Sequence, residues 1–446
     1  MSVRAPDLTA GTVREEAIQS LERARRRTLE LIEPLSEEAL NKVHDPLMSP
    51  IVWDLGHIAN FEELWIVQRA GGREPSREEL GSVYDPFTAP RRERGALPYL
   101  TSEQCFAYMD AVRERAIDCI QHADVSGGAD PLLAGGFVFD LVLRHEQQHT
   151  ETILQTLQIM TAERYTPPQR IQLSDGGETG SGMVFVAGGP FEMGADAGSF
   201  AYDNERPSHM REVASLWIDA LPVTNARMCE FIEDGGYERR EFWSEEGWGW
   251  TQSERISRPL YWERDGDDFY VRSFGEVVPV DPSNPVCHVS WYEADAYARY
   301  AGKRLPTEAE WEKAASWDPS SSTKRRYAWG DKRPAAEQAN VDQLAFGTAP
   351  AGACPDGASA YGAQQMIGDV WEWTASGFDA YDGFEAFPYP EYSEPFFGGP
   401  FRVLKGGSWA TQPEAATCTF RNWDYRERRQ IFAGFRCARD AKDGEA

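Results

Sequence analysis

The chain has 446 residues, and its 45 Lys and Arg stand against 72 Asp and Glu, so the formal net charge is −27. This acidity disfavours nucleic-acid partners, because phosphate backbones bind to basic surfaces. A hydrophobic fraction of 41% supports sizeable cores and excludes wholesale disorder. The seven cysteines are scattered and lack C-x-x-C spacing, and there is no apolar leader, so we predict a reduced, cytoplasmic protein. We predict no membrane span, because the sequence has no run of about eighteen apolar residues.

Helix-forming residues with apolar positions three and four apart dominate the first part of the chain. The pattern predicts four helices, at residues 14–33, about 52–69, about 102–121 and about 132–160. Helices of this length with polar connections are typical of an antiparallel four-helix bundle, which we assign to residues 1–165. The segment 71–100 is rich in Gly, Pro and charge, so we expect a long irregular excursion of the kind that often carries function.

A Pro-, Gly- and Ser-rich stretch follows, and we assign residues 166–182 to a linker. Residues 183–446 have short apolar runs among many Gly, Pro, Trp and Asn residues. Helical spacing is clear only near 224–233 and 291–315. This texture predicts an irregular second domain, so the fold class is a multidomain α+β protein.

Histidines on two of the predicted helices are candidate metal ligands. His145 and His149 are four residues apart, so they share one helix face at a spacing that suits one metal ion. They continue the apolar stripe of that helix, and His57 takes the same inward position on the second helix. Three inward histidines can form an all-nitrogen site for iron, copper or zinc, and the spacing does not choose among these metals. The alternative is that they are hydrogen-bonded core histidines.

The string HEQQH at 145–149 also matches the zinc-protease pattern H-E-x-x-H. One protease class needs Gly and His further along, where this chain has Thr152 and Gln155. The other class needs a ligand-bearing helix farther on, where this chain has its linker. We therefore reject the protease interpretation. If His57 is the third ligand, Glu146 turns away from the metal and is structural.

Motifs spread over residues 183–440 resemble the formylglycine-generating-enzyme (sulfatase-modifying factor) domain, a variant of the C-type-lectin-like fold. They are FEMG at 191–194, DNERP at 203–207, PVTN at 222–225, NPVCHVSW at 284–291, GKRLPTEAEWE at 302–312, GDVWEWT at 368–374, RVLKGGSW at 402–409 and GFR at 434–436. Formylglycine-generating enzymes use closely spaced cysteines, but Cys418 and Cys437 are nineteen positions apart, which argues against that chemistry here. Asp369 stands where the family usually has Asn, and a structural Ca²⁺ site nearby is an option without predicted ligands.

The predicted bundle, with H-x-x-x-H-x-E on its last helix, resembles the DinB-like fold. Joined to the lectin-like domain, it is similar to the iron-dependent sulfoxide synthases of ergothioneine biosynthesis over nearly the whole chain. That resemblance implies an oxygenase that uses O₂ to join the thiol of γ-glutamylcysteine to the imidazole C2 of hercynine, which is Nα-trimethylhistidine. The product is a sulfoxide. The implied Fe(II) ligands are His57, His145 and His149.

The substrates of this family suggest which residues bind them. Hercynine has a permanent trimethylammonium group, for which an aromatic face is a good partner. We assign Trp423 to this cation and Asn422 to the carboxylate, and we expect Gln148 to hold the amine or carboxylate end. The alternative for Trp423 is ordinary core packing.

γ-Glutamylcysteine has two carboxylates, which arginine binds well. The resemblance implies that Asp424 and Arg428 grip the γ-glutamyl part, with Asp424 on its amine. We assign Arg91 to a carboxylate, with Arg94 as the nearest competitor. Two other arginines are predicted to be solvated surface charges, namely Arg92 and Arg429.

Oxygen chemistry also needs a proton source, and a tyrosine phenol suits this role. The resemblance implies one catalytic tyrosine and a second that lines the pocket. We take Tyr389 as the acid and Tyr392 as the pocket wall. Because the proposed parts come from both domains, we expect the site to lie between them.

Two alternatives stay open on the sequence alone. A related synthase would use free cysteine or a selenosugar as its substrate. A non-catalytic lectin-like module would carry a zinc or purely structural histidine site. For the sulfoxide synthase we expect a monomer whose partners are the small molecules hercynine, γ-glutamylcysteine and O₂.

Overall fold

A computed structural model of the chain describes residues 9–128, 130–161, 164–168, 182–196 and 200–442, together with positions 171, 173–174, 176, 198 and 444–445. The chain divides into two compact units between Thr166 and Pro167. Much of the predicted linker 166–182 lies outside the described residues. No described helix has both the length and the apolar character needed to cross a membrane.

The first unit is helical. Its α-helices are α1 Ala10–Ile32, α2 Glu37–Asn41, α3 Ile51–Glu62, α4 Leu80–Tyr84, α5 Ser102–His122 and α6 Phe137–Ile159. The long helices pack as a bundle, with α1 against α6 and α3 against both α5 and α6. The four predicted helices are therefore confirmed. Helix α6 begins about five residues later than expected, because Gly135 and Gly136 adopt positive φ angles of 62° and 84°.

Helix α3 continues as a π-helical segment, Glu63–Ala70, which the apolar spacing did not reveal. Its wider turn shows in the hydrogen bond from the backbone N–H of Gly71 to the carbonyl of Ile66, five residues earlier. The excursion predicted at 71–100 contains the short helix α4 and a 3₁₀ turn at Arg91–Ala96. It is irregular but ordered.

The second unit combines short strands with short helices. The strands are β1 Met183–Val186, β2 Gly189–Met193, β3 His209–Val213, β4 Leu216–Asp219, β5 Trp262–Asp265, β6 Asp268–Ser273, β7 Glu276–Pro279, β8 Trp317–Asp318, β9 Thr323–Lys324, β10 Trp371–Gly377, β11 Phe401–Lys405, β12 Asn422–Tyr425, β13 Ala433–Gly434 and β14 Ala438–Asp440. One sheet has the order β12-β11-β10-β13, and another has the order β1-β4-β14. Strands β11 and β12 are antiparallel, with Val403 opposite Trp423 and Arg402 opposite Asp424.

The helices of the second unit are α7 Asn225–Glu233, α8 Glu245–Glu254, α9 Trp291–Tyr300 and α10 Glu308–Ser316. The helical spacing near 291–315 belongs to two helices, because Gly302 at φ 68° and Pro306 interrupt the run. Capping boxes at Ser290 and Thr307 start α9 and α10. Helix α8 was missed, since its segment is rich in Gly and Trp. The mixed architecture confirms the predicted α+β class.

Candidate functional site

Three histidines of the first unit form one cluster. His57 on α3 and His145 and His149 on α6 offer ligand atoms that all lie within 4.8 Å of one another. The Nε2 atoms of His57 and His145 are 3.0 Å apart. Two nitrogens that each lie about 2.0–2.1 Å from one ion can be separated by this distance. Among the described residues this is the single group of three or more His, Cys, Asp or Glu side chains that could hold a metal ion.

Aromatic rings hold two of these histidines in place. His145 stacks on Phe61, with ring centroids 3.6 Å apart and an interplanar angle of 9°. His57 stacks on Trp53 at 5.2 Å and 11°. Packing of this kind restricts ring rotation, so the imidazoles are already oriented.

Hydrogen bonding and burial set the protonation of the cluster. The Nδ1 of His57 lies 2.7 Å from the carbonyl of Tyr84, so Nδ1–H donates and Nε2 keeps its lone pair. Burial, followed by the charge of His149, holds the pKa of both His57 and His145 well below the usual histidine value. Neutral imidazoles with lone pairs that converge are what a metal ion requires. The cluster can therefore bind a metal.

Glu146 points away from the histidines, as predicted. Its carboxylate accepts hydrogen bonds from Arg25 at 2.9 Å, Thr28 at 3.1 Å and Arg113 at 3.2 Å. Both arginines also bond to Glu62. Glu146 is thus part of a buried ion-pair network, and a role as the general base of a zinc protease is excluded by its position.

The arginines of the excursion are in different environments. The Arg94 guanidinium is buried, donates to Ser49 Oγ and the Ala89 carbonyl, and stacks over Trp53 at 3.8 Å. Burial lowers its pKa to about 10. Arg91 is exposed and donates to a carbonyl of the loop before α3. Arg92 is exposed and paired with its neighbour Glu93, in line with the predicted surface charge.

Gln148 is half-buried on α6, beside His149.

In the second unit, the predicted hercynine residues lie on β12. Trp423 stacks on Phe378 at 4.0 Å and 9°, and meets the edge of Tyr392 at 5.7 Å and 85°. Asn422 accepts a hydrogen bond from the backbone N–H of Trp423 through its Oδ1 at 2.9 Å. The half-buried Trp423 thus packs in one aromatic cluster with Phe378 and Tyr392, which the sequence did not predict.

Asp424 and Arg428 form an ion pair with 3.4 Å between Oδ1 and Nε. They are brought together by the end of β12 and a turn, in which the N–H of Arg428 donates to the carbonyl of Tyr425. The prediction that Arg429 is a solvated surface charge is wrong. Its guanidinium is largely buried, pairs with the buried Glu293 at 3.1 Å and donates to a backbone carbonyl.

Tyr389 and Tyr392 lie in one loop, with ring centroids 6.1 Å apart. Burial, followed by the charges of Tyr202 and Asp203, raises the pKa of Tyr389 far above the usual tyrosine value, so its phenol stays protonated. Tyr392 stacks on Tyr202 at 4.5 Å and 14°. Ser393 anchors the loop by donating to Asp203 at 2.5 Å. The DNERP motif contains Asp203, but nothing in its sequence linked it to this loop.

Other features of the second unit bear on chemistry that the sequence left open. Cys418 and Cys437 are fully buried, and burial raises the pKa of both thiols, which argues against reactive thiolates. Asp369 is also buried, which raises its pKa to about 6. Its carboxylate accepts hydrogen bonds from the side chain of Asn340, the backbone of Ala349 and the side chain of Gln365. These three donors hold the carboxylate in place inside the second unit.

Comparisons with known proteins cover both units. The sequence profile of the sulfatase-modifying factor enzyme 1-like domain matches residues 171–441, and that of the DinB superfamily matches residues 20–153. The bovine formylglycine-generating enzyme (Bos taurus) is 30% identical over 286 residues, which are 58% of this chain and 74% of that protein.

Relatives named hercynine oxygenase match across both units. Hercynine oxygenase of Mycolicibacterium thermoresistibile is 44% identical over 445 residues, which cover 96% of this chain and 95% of the relative. Hercynine oxygenase of Mycolicibacterium smegmatis is 44% identical over 439 residues, which cover 96% and 99%. With this identity over nearly the full length, the chain belongs to the hercynine oxygenase family.

Proposed function

We propose that this protein is an Fe(II)- and O₂-dependent oxidoreductase that joins the sulfur of γ-glutamylcysteine to the imidazole C2 of hercynine and oxidises that sulfur to the sulfoxide. The reaction balances as hercynine plus thiol plus O₂ giving sulfoxide plus water. The observation that carries the proposal is the three-histidine cluster in a chain that is 44% identical to hercynine oxygenases over 96% of its length. The product class places the protein in ergothioneine biosynthesis.

His57, His145 and His149 would hold the iron. The three imidazoles would supply nitrogen ligands and no anionic ligand, which would leave positions for substrates. When bound, ferrous iron supplies the electron transfer to O₂ that organic side chains do not provide. The stacking of Phe61 on His145 limits the motion of that ligand.

The hercynine residues would be Trp423, Tyr392, Asn422 and Gln148. A trimethylammonium cannot donate hydrogen bonds, so the faces and edges of Trp423 and Tyr392 are suitable partners for it. Asn422 would turn its amide from the local backbone contact toward the carboxylate. Gln148, on the same helix as two of the histidines, would hold the amine or carboxylate end.

The thiol substrate would be recognised through charge. Asp424 would bind the amine and Arg428 the α-carboxylate of the γ-glutamyl group, in exchange for their mutual contact at 3.4 Å. Arg91, whose guanidinium is exposed, would bind the second carboxylate. Arg94 is a weaker choice, because its donors are already used within the first unit.

Tyr389 would be the proton donor. Its phenol is kept protonated by burial, so at neutral pH it is able to donate a proton to a developing oxyanion without leaving a carboxylate in the site. Tyr392 would serve as wall and not as acid, since its ring is committed to stacking on Tyr202.

Four further assignments stay proposals. We propose domain boundaries at 1–165, 166–182 and 183–446. A reducing, cytoplasmic location fits the absence of disulfide bonds among the described cysteines, and we propose a monomer. A structural Ca²⁺ ion in the second domain stays a prediction.

The test is product identification with isotope labelling. The full-length protein, purified without oxygen and loaded with Fe(II), is given hercynine, γ-glutamylcysteine and ¹⁸O₂. The proposal predicts a product with the combined mass of both substrates, less two hydrogens and plus one labelled oxygen. A product without the label, or no coupled product at all, contradicts it. Free cysteine and a selenosugar are run in parallel to identify the donor.

A further inference from the structure

We propose that Asp54 is the positioning residue for the ligand His149 and the negative charge that compensates the metal ion. This inference rests on the metal-binding part of the proposed function. Asp54 lies on α3, one helical turn before His57, so the two side chains share the face that packs against α6.

The contact between Asp54 and His149 joins the two helices of the cluster. The Asp54 Oδ1 atom is 3.5 Å from the Nδ1 atom of His149. Among the described residues, neither the Nδ1 of His149 nor the Oδ2 of Asp54 has a hydrogen-bond partner. Asp54 is 1% exposed, so water does not take that place freely. With a proton on Nδ1, His149 would present a donor to the adjacent Asp54 carboxylate.

Asp54 differs from the other buried carboxylates of the bundle. Glu62, Glu63 and Glu146 each form ion pairs with arginine at 2.5–2.9 Å. Arg94 interacts electrostatically with Asp54, but its guanidinium donates hydrogen bonds to Ser49 and Ala89. A buried carboxylate is costly without a compensating charge. A divalent ion held by His149 supplies one.

The same arrangement determines which ring nitrogen of His57 and of His149 faces the metal site. The Nδ1–H of His57 donates to the carbonyl of Tyr84, which directs Nε2 into the cluster. Asp54 does the same for His149, with an acceptor that also carries charge. A carboxylate behind a ligand histidine fixes its tautomer and raises its basicity. The site therefore keeps an anion next to the ligands although none of the three ligands is anionic.

The test measures metal binding and does not depend on turnover. The full-length apoprotein is titrated with Co²⁺ alone, and the dissociation constant and the metal-induced rise in melting temperature are measured. Asp54→Asn keeps the shape and an oxygen acceptor but removes the charge. We expect Co²⁺ affinity to fall 10–100-fold, with a matching loss of the metal-induced rise.

The matched control is Glu63→Gln, a buried carboxylate in the same continuous helical run that pairs with Arg115 instead of a histidine. It should lower the melting temperature of the apoprotein but leave the Co²⁺ affinity within about threefold of wild type. Asp54→Ser provides the same comparison if Asp54→Asn does not fold. Wild-type affinity in both folded Asp54 variants, or an equal loss in Glu63→Gln, overturns the inference. A wild-type protein that binds Co²⁺ but makes no sulfoxide overturns the proposed function alone.

Discussion

The Nε2 atoms of His57 and His145 lie 3.0 Å apart, although 88 positions separate the two residues in the chain. The Nδ1–H of His57 donates to the Tyr84 carbonyl, so its Nε2 has a lone pair that an Nε2–H of His145 or a bound metal ion can satisfy. The packing of α3 on α6 holds the two rings there, together with His149. A metal ion among the three rings would accept a nitrogen from each of them, so the geometry suits a metal site.

Loss of any one ligand should abolish the metal-dependent activity. We expect lower iron content and at least 100-fold less sulfoxide formation in each of His57→Ala, His145→Ala and His149→Ala. Loss of a residue that only hydrogen-bonds to a metal ligand already lowers metal affinity or activity 10–100-fold. The control is His122→Ala, because that side chain is exposed at the end of α5. Iron analysis and product assays on the four variants check this. Full iron content in any of the three ligand variants would remove that residue from the site.

Tyr389→Phe should slow turnover while substrate binding is retained. The change removes the protonated phenol and keeps the ring, so we expect kcat to fall by about 10²–10⁴-fold with little change in KM. Tyr392→Phe keeps the stacking on Tyr202 and serves as the control, with a smaller effect. A larger loss in Tyr392→Phe than in Tyr389→Phe would reverse the two roles.

Replacing both Asp424 and Arg428 by Ala should change the choice of thiol. The pair is expected to contact only the γ-glutamyl group, so kcat/KM for γ-glutamylcysteine should fall much more than kcat/KM for free cysteine. Steady-state rates with both thiols measure the ratio. An equal loss with both thiols would show that the pair acts on stability or on hercynine instead.

Glu146→Ala should destabilise the protein strongly. The change leaves Arg25 and Arg113 buried with one carboxylate partner in place of two, for which we expect a loss of about 3–5 kcal/mol in the free energy of unfolding. Denaturant titration measures it, and the exposed Glu22→Ala on α1 should change stability by at most about 0.5 kcal/mol. A stable, inactive Glu146→Ala protein would instead point to a catalytic role.

His288 should make stability depend on pH. Burial lowers its pKa to about 4, so the folded protein keeps it neutral while the unfolded chain takes up a proton below about pH 6.5. The unfolded state then binds more protons, and the contribution of His288 is present above pH 6.5 and lost as the pH falls to about 4. Between these two pH values, this effect lowers the free energy of unfolding by about 3 kcal/mol. In His288→Asn the free energy of unfolding should fall less over this range. Parallel curves for the two proteins would contradict the assignment.

The sequence predicted the features that local periodicity controls. Apolar spacing located the bundle helices, and it placed His57, His145 and His149 on inward faces because each replaces an apolar residue in a stripe. The Asp424–Arg428 pair was implied by the family resemblance, and a turn after β12 brings the two side chains together.

Contacts between distant segments could not be read from the chain. The carbonyl of Tyr84 and the carboxylate of Asp54 orient histidines through tertiary packing, for which no local pattern exists. The burial of Arg429 depends on Glu293, far away in sequence, so composition alone favoured a surface position. Apolar spacing also does not show the change to π-helical hydrogen bonding after α3.

Oxygen uptake by the Fe(II)-loaded, full-length protein measures the proposed reaction itself. We predict that O₂ is consumed rapidly only when hercynine and γ-glutamylcysteine are both present, with one sulfoxide formed for each O₂, and that His57→Ala shows none of this uptake. A wild-type protein that holds zinc tightly and consumes no oxygen with both substrates would contradict the account.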